Sequence, residues 1–248
     1  MKEELRVSVA MTTCNGEKYI LEQIESILPQ LREYDELVIG DDDSKDRTLE
    51  IIDKVANSDK RVKIFRGKGL GVIRNFERVI GECNKDLIFL CDQDDVWVPN
   101  KVEIIKEHFL KDEKLILMMS DLMVVDKNLK VIHSSYMKKK GCSTGMIKNI
   151  LRNGYVGCAL AFRRELIPII LPFPKGIPMH DQWIGILAEM FGRAKMIEDK
   201  LVLYRRYEDN VTALASHSSF LQKAIWRIKL CYCLIRRMFS RKGYRIEI

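Results

Sequence analysis

Three carboxylates crowd residues 91–97, CDQDDVW, directly behind the nearly all-apolar stretch 86–91. Asp92, Asp94 and Asp95 repel one another, and low dielectric sharpens the repulsion. A divalent cation relieves it, and hard Mg²⁺ or Mn²⁺ prefers carboxylate and phosphate oxygen. The same residues also describe a solvated acidic turn that caps the following helix. A second cluster, Asp41, Asp42 and Asp43, closes residues 36–40. Capping a helix near Asp46, with Ser44 helping, needs one such side chain rather than three. The turn 67–71, GKGLG, precedes a helix, but Val72 stands where a dinucleotide fingerprint needs its third glycine. The turn still allows backbone to approach a diphosphate, with Arg74 close by. His180 and Asp181 follow a proline-rich loop and open a helix. From spacing alone, an N-capping Asp181 and a buried, hydrogen-bonded His180 are the simpler assignment.

Elements must hold these residues in place. Residues 6–11 read as a strand and 17–31 as a helix, with Ile20, Ile24, Ile27 and Leu31 at helical spacing. Strands follow at 36–40, 61–65 and 86–91, separated by helices over 46–55 and up to Ile80. Pro99 sits where a further helix can start. Alternation of this kind predicts βαβ units and a buried parallel sheet, with ligands beyond the carboxyl ends of its strands. That places Thr12, the Asp41 cluster, the glycine turn and the Asp92 cluster together. In the second half, 120–134 reads as two strands joined by a turn at Asp126. Residues 137–145 read as a loop, 155–162 as a strand, 171–178 as an extended loop with three prolines, 181–191 as a helix, and 196–206 as one or two strands.

Composition narrows the class. Hydrophobic residues make up 47 % of 248, which excludes a disordered chain. No apolar run is long enough to span a bilayer. The N-terminal MKEEL enters the first strand directly, which reads as no signal peptide. Seven cysteines without a paired framework point to a reducing compartment, and the lone C-x-C at 231–233 is a poor zinc signal. From His217 onward there are eight basic side chains against Glu247, which is the whole net charge of +7. The neutral body argues against nucleic acid as a partner. The tail suits an anionic surface: Leu221, Ile225, Ile228, Tyr232, Ile235 and Phe239 fall on one stripe, among Arg and Lys. A helix packed on the body or on a partner's helix fits the same stripe.

Eight segments, in order, carry a resemblance: VSVAMTTCNGEKYI, VIGDDDSKDRT, GLGVIRNFE, FLCDQDDVWVPNK, MMSDLMVVD, NGYVGCALAF, MHDQW and LYRRYEDNVT. Over residues 6–212 the chain resembles family-2 inverting glycosyltransferases of the GT-A fold, most closely the bacterial rhamnosyltransferases of surface polysaccharide synthesis. The resemblance implies an α/β fold with a Rossmann-like, mostly parallel central sheet flanked by helices. It implies a transferase domain over 1–216, with a nucleotide-binding half (1–98) and an acceptor half (99–216), and a basic amphipathic tail over 217–248.

The resemblance also implies roles. Thr12 and Asp42 would hold the base and ribose of a dTDP- or UDP-sugar. Asp92, Asp94 and Asp95 would form the D-x-D region, with Mg²⁺ or Mn²⁺ on Asp94 and Asp95, and Arg205 and Asn210 would lie near the diphosphate. Asp181 would be the catalytic base. It is also the acidic candidate of the second half that follows an extended loop and opens a helix, beside Trp183, an aromatic able to stack on a sugar. Two positions depart from the pattern: Asp43 replaces a frequent glycine, and Tyr207 a frequent histidine. The expected enzyme is a cytoplasmic, membrane-peripheral glycosyltransferase acting on a glycan or lipid-linked glycan. A nucleotidyltransferase that makes the nucleotide sugar, or a non-catalytic sugar-nucleotide binder, is the alternative. The former usually carries a glycine- and arginine-rich loop after its first strand, where this chain has TTCNGEKY.

Overall fold

The computed structural model of the protein describes residues 4–206 and 220–240. Tyr207, Asn210 and the end of the tail lie outside these residues, as does the side chain of Leu221. Five strands build the first half: β1 (Val7–Thr13), β2 (Glu36–Asp41), β3 (Val62–Arg66), β4 (Leu87–Asp92) and the short β5 (Val96–Trp97). Four follow: β6 (Leu115–Val125), β7 (Val131–His133), β8 (Leu160–Arg163) and β9 (Arg193–Arg205). Among the described residues these form one sheet in the order β3-β2-β1-β4-β8-β6-β9-β5, with β7 beside β6. Strands β1 to β4 pair in parallel, as does β6 with β9, whereas β8, β5 and β7 run antiparallel to their neighbours. β1 is buried at all seven positions, as expected of a strand covered on both faces.

Helices α1 (Ile20–Ile27), α2 (Thr48–Ser58), α3 (Val72–Glu82) and α4 (Lys101–Lys111) connect the first half. α1 buries Ile20, Ile24 and Ile27, each worth about 1.5–3 kcal/mol of apolar burial, and Pro29 ends it in a 3₁₀ turn. α3 presses Phe76, Val79 and Ile80 onto the sheet. Gly40 is required there, because a Cβ would lie 2.2 Å from a Val79 methyl. The second half carries α5 (Tyr136–Lys140), α6 (Met146–Leu151), α7 (Ile167–Ile170), α8 (His180–Phe191) and α9 (Phe220–Ser240). No helix among the described residues is long and apolar enough to cross a membrane.

Two expectations change. The loop over 137–145 begins instead as α5, because the Ser135 hydroxyl accepts from Lys138 N and caps it, and Gly141 closes it in the left-handed region. The strand expected over 155–162 is confined to β8, because residues 157–159 wind into a 3₁₀ turn. The apolar stripe of the tail faces outward. α9 packs on the body through Leu230, Leu234 and Arg237, whose guanidinium donates to the carbonyls of Ile169 (2.8 Å), Leu171 (2.7 Å) and Pro172.

Candidate active site

The carboxyl ends of β1, β2 and β4 lie side by side, since Thr12 registers with Gly40 on one flank and with Asp92 on the other. Behind β1 the backbone is held by side chains. Cys14 N donates to Gln93 Oε1 (2.8 Å), Asn15 N to Ser44 Oγ (2.8 Å), Gly16 N to Thr48 Oγ1 (2.7 Å) and Glu17 N to Asp46 Oδ2 (3.0 Å). Four successive N–H groups are thereby engaged, which leaves this turn unsuited to cradle a triphosphate as a nucleotidyltransferase loop would.

The Asp41 cluster divides its labour. Asp41 accepts from Ser44 N (3.0 Å) and from the Ser44 hydroxyl. The buried Asp42 carboxylate accepts from Leu70 N (2.9 Å) and Gly71 N (2.6 Å), so it anchors the glycine turn at the start of α3. Asp43 pairs with Lys45 (2.7 Å) and has φ +69°, the conformation that glycine adopts without strain. Arg74, one turn into α3, is turned toward the proline-rich loop, pairing with Glu77 and donating to Phe173 O (2.9 Å).

The Asp92 turn is clamped by β9. β5 pairs with β9 through Trp97↔Val202, which carries Arg205 beneath the turn. Arg205 N donates to Asp95 Oδ1 (3.0 Å) and its Nε to Asp94 O (2.8 Å). Its guanidinium also reaches Lys127 O (2.7 Å), ion-pairs with Glu22 and lies 4.3 Å from the Tyr19 ring centroid. Arg205 therefore reaches the site as a buried clamp on the acidic turn.

The turn itself is electrostatically overloaded. Burial, then Asp94 and Asp92, pushes the Asp95 carboxyl well above the usual carboxylate range. Burial, then the charges of Asp94 and Asp181, pushes Asp92 up as well. A second cation joins Arg205 underneath: Lys101 is fully buried, donates to Cys158 O (3.0 Å), sits 4.0 Å from the Trp97 ring centroid and is lowered to about 8 by burial. Asp92, Asp95 and Cys158 offer two oxygens and a sulfur that all lie within 4.8 Å of one another. The two carboxylates, crowded and protonation-prone, fit a hard divalent cation, while burial pushes the Cys158 thiol up and keeps it protonated beside Asp95. Compared with the sequence expectation, Asp95 is retained in the group, Asp92 and Cys158 join it, and half-buried Asp94 stands beside it.

Asp181 opens α8 and faces the same region. Its Oδ1 accepts from Gln182 N (2.6 Å) and Asn153 Nδ2 (3.0 Å), and the Gly157 N–H also donates to the carboxylate. Burial raises it to about 6 against these hydrogen bonds. The neighbouring His180 is buried and neutral, lowered to about 3, and stacks on Phe76 at 4.1 Å. The hydrogen bond expected for it is absent among the described residues, because its ring packs against Phe76 and Gly157. A Cβ at 157 would lie 2.8 Å from His180 Nε2. Trp183 does not reach a sugar: it is fully buried, donates to Ile170 O (2.9 Å) and lies under the Arg237 guanidinium. Two other acidic residues of this half are engaged. Glu189 accepts from Tyr155 OH (2.5 Å) and Gly145 N, and Asp121 from Ser135 Oγ (2.5 Å) and Met137 N.

Residues 8–168 match the profile of glycosyl transferase family 2, nearly two thirds of the chain. The chain belongs to that family. Across 98 % of its length it is 28 % identical to an uncharacterized glycosyltransferase of Nostoc, of which it spans 79 %. It is 27 % identical to the dTDP-rhamnosyl transferase RfbG of Shigella flexneri, over 81 % of this chain and 72 % of that protein. It is also 27 % identical to WfgD of Escherichia coli, a UDP-Glc:α-D-GlcNAc-diphosphoundecaprenol β-1,3-glucosyltransferase, over 75 % and 72 %. The fold matches S. aureus TarS 1–349 in complex with UDP-GlcNAc, with TM-score 0.67, 18 % identity, and 96 % and 74 % of the two chains covered. It also matches a mannosyltransferase from Pyrobaculum calidifontis in complex with GDP-Man and Mn²⁺, with TM-score 0.66, 19 % identity, and 91 % and 65 % covered. The architecture is accordingly that of a GT-A glycosyltransferase.

In this family-2 chain, sequence reasoning missed four residues of the site, Cys158 among them. Gln93 lies inside the acidic motif and ties it to Thr13 and Cys14. Asn153 orients Asp181, and Lys101 closes the motif FLCDQDDVWVPNK from below. Their nearness to named motifs is the signal that was available for each.

Proposed function

We propose that the protein is an inverting glycosyltransferase that moves a sugar, rhamnose favoured, from a pyrimidine nucleoside diphosphate to an acceptor hydroxyl in bacterial surface polysaccharide synthesis. The observation that carries this reading is Asp181: a carboxylate raised to about 6, within electrostatic reach of Asp92 at the end of β4. An acceptor hydroxyl is a weak nucleophile at neutral pH and needs a positioned base whose own pKa lies near the working pH. Asp181 takes the hydroxyl proton as the oxygen attacks the anomeric carbon from the face opposite the leaving diphosphate. Asn153 and the Gly157 N–H hold the carboxylate in place. Thr12 and Asp42 border the nucleoside, and Asp92 and Asp94 lie toward the ribose and diphosphate. Arg74 and Arg205 order the surrounding loops. Asp92 and Asp95, with neighbouring Asp94, would hold Mg²⁺ or Mn²⁺, which when bound would neutralise charge on the leaving diphosphate. The activities for which RfbG and WfgD are named support a dTDP- or UDP-sugar donor, and that of WfgD supports an acceptor carried on a lipid diphosphate. A lipid-borne acceptor places the reaction at the inner face of the membrane.

Asp181→Asn tests the assignment. Turnover falls by roughly 10²–10⁴ while donor affinity, read by calorimetry, stays near that of the parent. In the parent, turnover rises with pH through about 6 as the base ionises, and the variant loses that limb. Normal turnover in the variant, or a loss accounted for by donor affinity, removes Asp181 as the base.

A further inference from the structure

Helix α9 has two unlike faces. Leu230, Leu234 and Arg237 seat it on the body. Ile225, Ile228, Tyr232, Ile235 and Phe239 lie within about 80° of arc on the opposite side, at 3.6 residues per turn. They are 37–69 % exposed. Five large apolar side chains on one outward arc exceed the scattered exposure of an ordinary surface. α6 extends the patch with Ile147 and Leu151, 71 % and 57 % exposed. The two helices are joined where Arg227 donates to Leu151 O (2.6 and 3.0 Å).

The charge around the patch has one sign. α9 carries five basic residues and no acidic one over Phe220–Ser240. Arg227 and Arg237 turn to the body, while Lys223, Lys229 and Arg236 are exposed. Lys229, Arg236 and Lys175 of the proline-rich loop border a groove of about 960 Å³, with Phe173 and Tyr232 among its walls. A second copy of the chain would bring like charges face to face.

We propose that the outer face of α9, continued by α6, docks on an anionic lipid bilayer: the apolar arc enters the headgroup boundary and the groove receives a phosphate headgroup. This deepens the transferase reading and rests on it for its purpose. The two helices that carry the surface reach toward the base from beneath it. Arg237 lies over Trp183, two residues beyond Asp181, and α6 leads through Arg152 to Asn153, which donates to Asp181. Docking on this face presents the acceptor side of the enzyme to a lipid-borne substrate.

Co-sedimentation of the full chain with vesicles of phosphatidylglycerol and phosphatidylethanolamine, against phosphatidylcholine alone, tests the docking. The parent binds the anionic vesicles. Ile228→Ser/Ile235→Ser weakens binding on the order of a hundredfold, the loss of two buried apolar side chains. Lys229→Gln/Arg236→Gln weakens it roughly thirtyfold at low salt, about fivefold per charge. Val131→Ser/Ile132→Ser, equally exposed on β7, leaves it unchanged, and all three variants keep the parent melting temperature. Equal sedimentation of the parent and Ile228→Ser/Ile235→Ser overturns the proposal. So does a dimer in sedimentation velocity that this variant dissociates while neither form binds vesicles. Asp181→Asn keeps vesicle binding, so failure of the chemistry and failure of the docking register in different assays.

Discussion

The two acidic clusters occupy equivalent positions, each at the carboxyl end of a parallel strand and separated only by β1, yet they are in opposite electrostatic states. In the first, every carboxylate has donors: Asp41 from Ser44, Asp42 from the Leu70 and Gly71 N–H groups, Asp43 from Lys45. In the second, Asp95 receives the Arg205 N–H, while burial and mutual repulsion push both Asp92 and Asp95 upward. Residue type is the same in both. The supply of donors decides whether a carboxylate cluster becomes scaffold or a charge reservoir that calls for a counter-ion.

This contrast can be broken most forcefully at the second cluster. Saturating Mn²⁺ with UDP stabilises the parent by about 3 kcal/mol at a hundredfold excess over the dissociation constant. Asp94→Ala and Asp95→Ala each abolish the metal-dependent part in thermal denaturation. An undiminished Mn²⁺ increment in both would refute the reservoir. Next in size, Asp41→Ala costs about 2–3 kcal/mol of folding stability, since a buried carboxylate and its two donors from Ser44 are separated, and denaturant titration reads it. The Mn²⁺ increment survives that change, which marks Asp41 as scaffold. Asp42→Ala weakens UDP or dTDP by about 1.5–3 kcal/mol in calorimetry, through a lost charged hydrogen bond and a loosened glycine turn. Unaltered affinity would make Asp42 scaffold alone. The smallest effect belongs to Asp43→Gly, which relieves a left-handed backbone and stabilises by up to about 1 kcal/mol. The exposed Lys45 pair it removes offsets little of that.

Much of this was legible from local pattern. The strands of the first half follow from short apolar runs, α1 from Ile20, Ile24 and Ile27 at helical spacing, and the convergence of Thr12, Asp42 and Asp92 from βαβ alternation. The place of Asp181 at the head of α8 followed from the proline-rich stretch before it. What stayed hidden depends on contacts between distant segments. Cys158 reaches Asp92 and Asp95 only because β8 runs antiparallel beside β4. Arg205 becomes a clamp only through the pairing of β5 with β9. Trp183 carries the composition of a sugar platform, but Ile170 and Arg237 enclose it. The stripe on α9 was read correctly as a stripe. Its outward direction is fixed by carbonyls of residues 169–172, which hold Arg237 and have no counterpart in the periodicity of the helix itself.

Lys101 brings one buried positive charge to the underside of the acidic turn. Its ammonium, lowered to about 8, is still mostly protonated at neutral pH. It shares the three carboxylates of Asp92, Asp94 and Asp95 with Arg205, whose own charge is partly met by Glu22. A divalent ion held at the turn would offset the negative charge that remains before a diphosphate arrives. Loss of Lys101 would remove one positive charge from the turn, which would then hold a divalent ion more tightly and receive a diphosphate less readily.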